Sequence, residues 1–184
     1  MSEEYEEMVV DLAEYIRSHF YGKYRGTVVD VKDPDKLGRI TAQVPEVLHD
    51  QTSPWALPAS PFAGSKHGLV LIPEVGDGVW IEFEAGDPSR PIWTGGWWAK
   101  NELPAPGEPE VRVLVTSKGH KLVFDDKNKE IHLLHSGGAE ITMKDSDVGV
   151  KIGNTEVAMT KSDLTLKVGS SAQLKMSASG TEIS

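Results

Sequence analysis

The chain has 184 residues, 39% of them hydrophobic and 26% charged, with 28 acidic against 19 basic side chains and a formal net charge of −9. No cysteine is present, which excludes a disulfide framework, cysteine-ligated zinc and thiol chemistry. No apolar run is long enough to span a bilayer as a helix, and the acidic start Met1-Ser2-Glu3-Glu4 lacks the basic-then-apolar order of a signal peptide. The charge is uneven: residues 1–103 carry 9 basic and 17 acidic side chains, residues 104–184 carry 10 and 11. An acidic first half is a poor match for a phosphate backbone, so nucleic acid is not an expected partner.

Residues 3 to about 20 are predicted to be a helix. Met8, Leu12, Ile16 and Phe20 recur every four residues, with Tyr5 and Val9 alongside, and Glu3, Glu4, Glu6 and Glu7 crowd the start, where negative charge suits the helix dipole. The stripe needs a surface, either its own domain or a neighbouring subunit. From Tyr21 the period changes to two. Strands are predicted at Tyr24–Val31, Arg39–Pro45, Gly68–Pro73, Val79–Glu84 and Pro91–Gly96. Asp33-Pro34, Gly76-Asp77-Gly78 and Gly86-Asp87-Pro88 supply turns, and Trp55 and Phe62 are expected to pin the proline-rich stretch between Glu46 and Ser65. Five short strands with Gly/Pro turns predict a small closed barrel of OB type.

Two blocks in this region carry a family resemblance. Gly26-x-Val28-x5-Asp33-Pro34-x3-Gly38-Arg39-Ile40 and Pro73-x-Val75-Gly76-Asp77-x-Val79-Trp80-Ile81-x-Phe83-Glu84-x-Gly86-Asp87-Pro88-x2-Pro91-Ile92-x3-Gly96 resemble the OB-fold domain of phage baseplate assembly protein V, the tail spike. The same domain occurs in the valine-glycine-repeat spikes of type VI secretion systems. The resemblance covers about residues 20–100. It implies a following trimeric β-helical needle, reached here through the stiff Pro104–Pro109 linker, whose brevity leaves no room for the lysozyme domain that some relatives insert.

Residues 111–184 are predicted to form short alternating strands. Leu122/Phe124, Ile131/Leu133, Ile141/Met143, Val150/Ile152, Val157/Met159, Leu164/Leu166 and Leu174/Met176 each sit two apart, separated by Gly, Asn, Asp and Ser turns. Such strands have one apolar face and no helix to cover it. A lone sheet of this kind is an aggregation hazard, and three copies turning their apolar faces to a common axis remove it. A monomeric β-sandwich also fits the strand spacing. The expected architecture is mainly β: a docking helix (1–20), an OB barrel (21–103), a linker (104–110) and a homotrimeric, intertwined β-helix or β-prism needle (111–184).

No catalytic constellation is found, and no cofactor or metal is expected. Glu82 and Glu84 imitate a glycosidase pair but read as the solvated face of a strand. His132 and His135 lie three apart, on opposite faces of a strand, and cannot readily chelate one ion. Metal-tipped spikes of the family carry a His-x-His pair near the apex, whereas this chain ends Thr181-Glu182-Ile183-Ser184. A blunt end is expected, closed by Ile183 and capped by a small tip protein, with Thr181 and Ser184 beside it. Trp80, Trp93, Trp97 and Trp98 offer a rival reading, since OB folds stack single-stranded bases on aromatic rings. Barrel core or a contact between barrels accounts for them without a basic groove, and one of the adjacent Trp97 and Trp98 becomes a trimer-interface anchor. The resemblance implies a structural spike that docks on a hub protein and punctures a target membrane when a sheath contracts. With about 20 residues ahead of the barrel, the hub is expected to be a separate protein, as in a phage tail, with a phage-like particle or type VI-like system as the alternative.

Overall fold

The computed structural model describes residues 3–184; residues 1 and 2 of the expected docking segment 1–20 lie outside the described part. The chain divides into two compact units, the first ending at Asn101 and the second comprising Glu102–Ser184.

In the first unit, α1 spans Glu3–Ser18. It stops two residues earlier than the apolar period, because Phe20 is claimed by the barrel: its amide donates to the Gly86 carbonyl (2.8 Å), and its ring packs against Tyr24 and Phe83 at 6.1 and 6.2 Å. Phe20 is therefore part of the barrel packing rather than of the helix stripe. The remaining elements are β1 (Tyr24–Asp30), β2 (Thr41–Gln43), α2 (Pro45–Leu48), β3 (Leu57–Pro58), β4 (Ala63–Gly64), β5 (His67–Gly68), β6 (Gly78–Phe83) and β7 (Pro91–Gly96). Five of these strands make one sheet in the order β2-β1-β6-β7-β3, with β3 and β7 parallel and the other pairs antiparallel. Ile40 and Ala56 exchange backbone hydrogen bonds of 3.2 and 2.7 Å, which join the two ends of the sheet into a ring. Alternate side chains point inward, so Val28, Ile40, Ala42, Val44, Val47, Ala56, Val79, Ile81 and Phe83 form the core. Gly26 faces this core where a side chain would be crowded, since a Cβ there would lie 3.1 Å from Ile81 Cγ1 and 3.2 Å from the Gln43 carbonyl.

The predicted strand at Gly68–Pro73 does not form. Leu57–Pro58 takes the ring position beside β7, and the run Leu69–Ile72 is exposed coil after the small β4–β5 hairpin. Phe62 is likewise exposed and pins nothing, whereas Trp55 is half-buried under the Arg39 guanidinium, 5.7 Å from the ring centroid.

The second unit is a nine-stranded antiparallel meander: β8 (Val111–Val115), β9 (Lys121–Asp125), β10 (Glu130–Leu134), β11 (Ala139–Met143), β12 (Asp147–Ile152), β13 (Thr155–Thr160), β14 (Asp163–Val168), β15 (Ala172–Ser177) and β16 (Gly180–Ile183). Every strand pairs with its neighbours in sequence, within the chain. Of the two forms expected, an antiparallel sheet of this kind is consistent with a β-prism. At the linker end Lys121 Nζ donates to the Ala105 carbonyl (3.0 Å), and Val111 and Val123 are buried.

Candidate assembly surfaces

Register decides which side chains share a face of the meander. Leu122, Leu133, Ile141, Val150, Val157, Leu166 and Leu174 stand directly opposite one another from strand to strand, and the file is extended by Leu114 at one end and Ile183 at the other. Two residues away on the same face runs a second file, Phe124, Ile131, Met143, Val148, Met159, Leu164 and Met176. Ile152 belongs to a third, with Ala139, Thr155, Val168 and Ala172. All fourteen predicted needle residues thus share one face. Leu114, Val148 and Val168 join them without having been singled out beforehand. Nothing in the unit lies over this face: Leu133 is 52% exposed, Ile152 64% and Ile183 84%. Contiguous apolar surfaces of this kind are rare on monomeric proteins and mark interaction sites.

From β11 to β16 the other face is polar and ordered by charge, while at the linker end it carries Val111, Val113, Val123 and Leu134. Glu140, Lys151, Glu156 and Lys167 stand opposite one another in succession, alternating in sign. His132 lies on this face, with Nε2 3.0 Å from Glu130 Oε2, and Glu130 also holds Lys144 at 3.1 Å, raising the lysine pKa above its ordinary value. His135 is on the apolar face, as strand geometry requires. Its ring packs against that of His120 at a tilt of 53°, centroids 4.5 Å apart. The backbone N–H groups of Ser136 and Gly137 donate to Nδ1 of His120 and His135. This pair was missed at the sequence level, although the Leu122–Leu133 register brings positions 120 and 135 together. Among the described residues no group of three or more His, Asp or Glu side chains could hold a metal ion.

The motif residues of the barrel are turn staples. Asp33, with only 4% of its side chain exposed, accepts from the backbone N–H groups of Asp35, Leu37 and Arg39 and from the Arg39 side chain. The Arg39 hydrogen bond, helped by these amides, holds the Asp33 carboxyl well below the usual carboxylate range. Asp77 accepts from Glu74 N at 2.8 Å while its backbone and that of Gly76 bond to Val28. Asp87 caps Ser89, whose side-chain and backbone contacts lower the carboxyl pKa. Glu82 and Glu84 each hold a base, Lys23 at 2.7 Å and Arg90 at 2.6 Å, and Glu84 falls beyond the end of β6. Trp97 is half-buried, its Nε1 donating to the Val79 carbonyl (3.2 Å) and its ring lying on Gly78, while Arg25 lies over both Trp80 and Trp97. Trp93 donates to the Gly38 carbonyl (3.1 Å). Trp98 is the one of these four rings that is mostly exposed, at 63%.

The stripe of α1 does not pack on its own domain. Tyr5, Met8, Val9, Leu12, Tyr15 and Ile16 are all exposed. The helix is nonetheless held at its C-terminal end: Tyr15 stacks on His19 (3.9 Å between centroids), its hydroxyl lies 2.8 Å from that of Tyr21, and the Tyr21 ring sits over Gly86, where a Cβ would come within 2.8 Å of it.

Comparison with known proteins matches residues 24–98 to the model of the "Type VI secretion system/phage-baseplate injector OB domain". Similar curated proteins include the actin cross-linking toxin VgrG1 of Vibrio cholerae (30% identical over 115 residues, 55% of this chain and 10% of that protein). The type VI secretion system spike protein VgrG3 of V. cholerae is 31% identical over 115 residues, 55% of this chain and 11% of its own length. Spike protein VgrG1a of Pseudomonas aeruginosa is 27% identical over 136 residues, 65% of this chain and 21% of its own. The chain thus spans only about a tenth to a fifth of the length of these relatives.

Proposed function

We propose, from the match of residues 24–98 to the type VI secretion and phage-baseplate injector OB domain, that this chain is the central spike of a contractile injection machine. It acts as a homotrimer whose second units form a three-sided prism, each sheet turning its apolar files to a common axis and its alternating charges to water. The observation that carries this reading is the uncovered, registered apolar face of the meander. Burying three such faces on one another provides the core that one chain lacks, and a closed-symmetry trimer does so without leaving a surplus sticky surface.

The work of such a protein is mechanical rather than catalytic. The barrels dock on a hub, and sheath contraction drives the needle through the target membrane, which demands slow unfolding. Ile183, at the far end of the longest apolar file, is the natural seat of a capping tip protein. In this reading the spike resides in an extracellular particle, a phage tail baseplate, with Trp98 as a contact between barrels.

The first test is the mass of the purified chain in solution, before and after heating in detergent. Three copies that survive detergent are expected. A monomer at micromolar concentration would mean that the apolar face finds its cover in another protein, and would end the prism reading.

A further inference from the structure

We infer that copies of this chain meet margin to margin along the meander, the bulky flanking file of one apolar face lying on the lean flanking file of the next copy at the same strand level. The inference rests on the spike reading in taking a second copy as the cover of this face, and it names the residues that fit the copies together.

The central file is flanked by two others, and from β11 to β15 their sizes compensate strand by strand. Where one flank carries methionine, the other is short: Met143 with Ala139, Met159 with Thr155 and Met176 with Ala172. On β12 the order reverses, Val148 standing on the first flank and Ile152 on the second. On β14 the two are close in size, Leu164 and Val168. Within one chain the members of such a pair do not meet. They are four residues apart along a strand, about 13 Å, with a central-file side chain between them. Nothing inside the chain therefore requires their sizes to compensate.

A ring of copies about the long axis of the sheet does require it. Rotation brings the Met143 margin of one copy to the Ala139 margin of the next at the same level, so each long side chain has a short one to lie against and packed volume is balanced. Methionine suits such a seam, because its unbranched thioether adapts to irregular gaps. A pair of sheets related by a twofold axis parallel to the strands would instead set methionine file on methionine file, overpacking one margin and leaving a gap at the other. The margins are open for the contact, Met143, Met159, Met176, Ile152 and Val168 all being exposed. Nine strands about 4.8 Å apart, with files about 6.8 Å apart, give a face of about 500 Å² in plan. Side-chain relief brings this toward the roughly 800 Å² that each partner of a stable interface buries.

The chain has no cysteine, so introduced pairs report alone. The full chain is made with Met143→Cys and Ala139→Cys together, and separately with Met159→Cys and Thr155→Cys, oxidised in air and run in detergent without reductant. Inside one chain each pair exceeds the roughly 7 Å between Cα atoms that a disulfide can span, so a bridge forms only between copies. Solution mass in reductant checks that each variant assembles, and Val148→Cys with Ile152→Cys serves where one does not. Covalent trimers are expected from the pairs, lost on adding reductant, and no bridges from the single variants. Bridged single variants would mean that like margins meet, and would overturn the pairing. So would a three-copy mass with no bridge from any pair, a result that leaves the spike reading standing. Bridged species no larger than two copies would keep the pairing and end the threefold reading, and a monomeric wild type would end both.

Discussion

Asp33 grips Arg39 at both ends: one carboxylate oxygen lies 2.6 Å from the guanidinium Nη2, and the other accepts from the Arg39 backbone amide at 3.2 Å. This single side chain closes the loop from β1 to β2, which explains why the sequence motif there needs an aspartate, a turn and an arginine in that order. Asp33→Asn keeps the shape but loses the charge. It is expected to lower the melting temperature of the barrel by several degrees while leaving the solution mass unchanged, as followed by tryptophan fluorescence.

The same carboxylate gives a pH signature. Its pKa is lowered from an ordinary 3.8 on folding, so its contribution is complete above that value and is lost progressively as pH falls below it. Wild-type barrel stability should therefore drop below about pH 4, and the difference between wild type and Asp33→Asn should shrink over the same range. Parallel melting curves for the two proteins from pH 7 to pH 3 would remove the assigned role.

Ile152→Asp puts a carboxylate on the apolar face of each copy. Three of them near one axis cannot all stay ionised without large cost, so trimers are expected to give way to monomers on light scattering. Heat-stable trimers from this variant would contradict the packed axis.

Lys151→Glu is the matched control, one residue away on the opposite face. It sets like charges beside Glu140 and Glu156, at a cost of roughly 0.2–1 kcal/mol per pair, and should leave the oligomer intact.

Gly26→Val tests the closeness of packing in the barrel. Its side chain must enter the space held by Ile81 and the Gln43 carbonyl, and overpacking of this kind costs about 1–3 kcal/mol, readable as a lowered denaturation midpoint.

The meander was legible in the sequence because its information is local. Alternation sets the face of Val150 and Ile152, and short turns such as Gly153-Asn154 pin Ile152 opposite Thr155. The barrel was legible wherever turn chemistry is local, as at Asp33, Gly76-Asp77 and Asp87. What failed was non-local. Ring closure depends on Ile40 meeting Ala56 across a proline-rich stretch, and nothing in Leu57-Pro58 announces a strand. The run Leu69–Ile72 has apolar content but no alternation and no free ladder to join. His120 and His135 became neighbours only once the strands on which they border were set in register.

The meander has a consequence for size. Since each strand bonds only to the strands before and after it, removal of β12 and β13 would leave β11 facing β14 in the same antiparallel sense, with both apolar files continuous. Each hairpin adds about 9–10 Å in the hydrogen-bonding direction. The reach of this sheet is therefore a count of hairpins, adjustable by whole duplications and deletions without redesign of what remains.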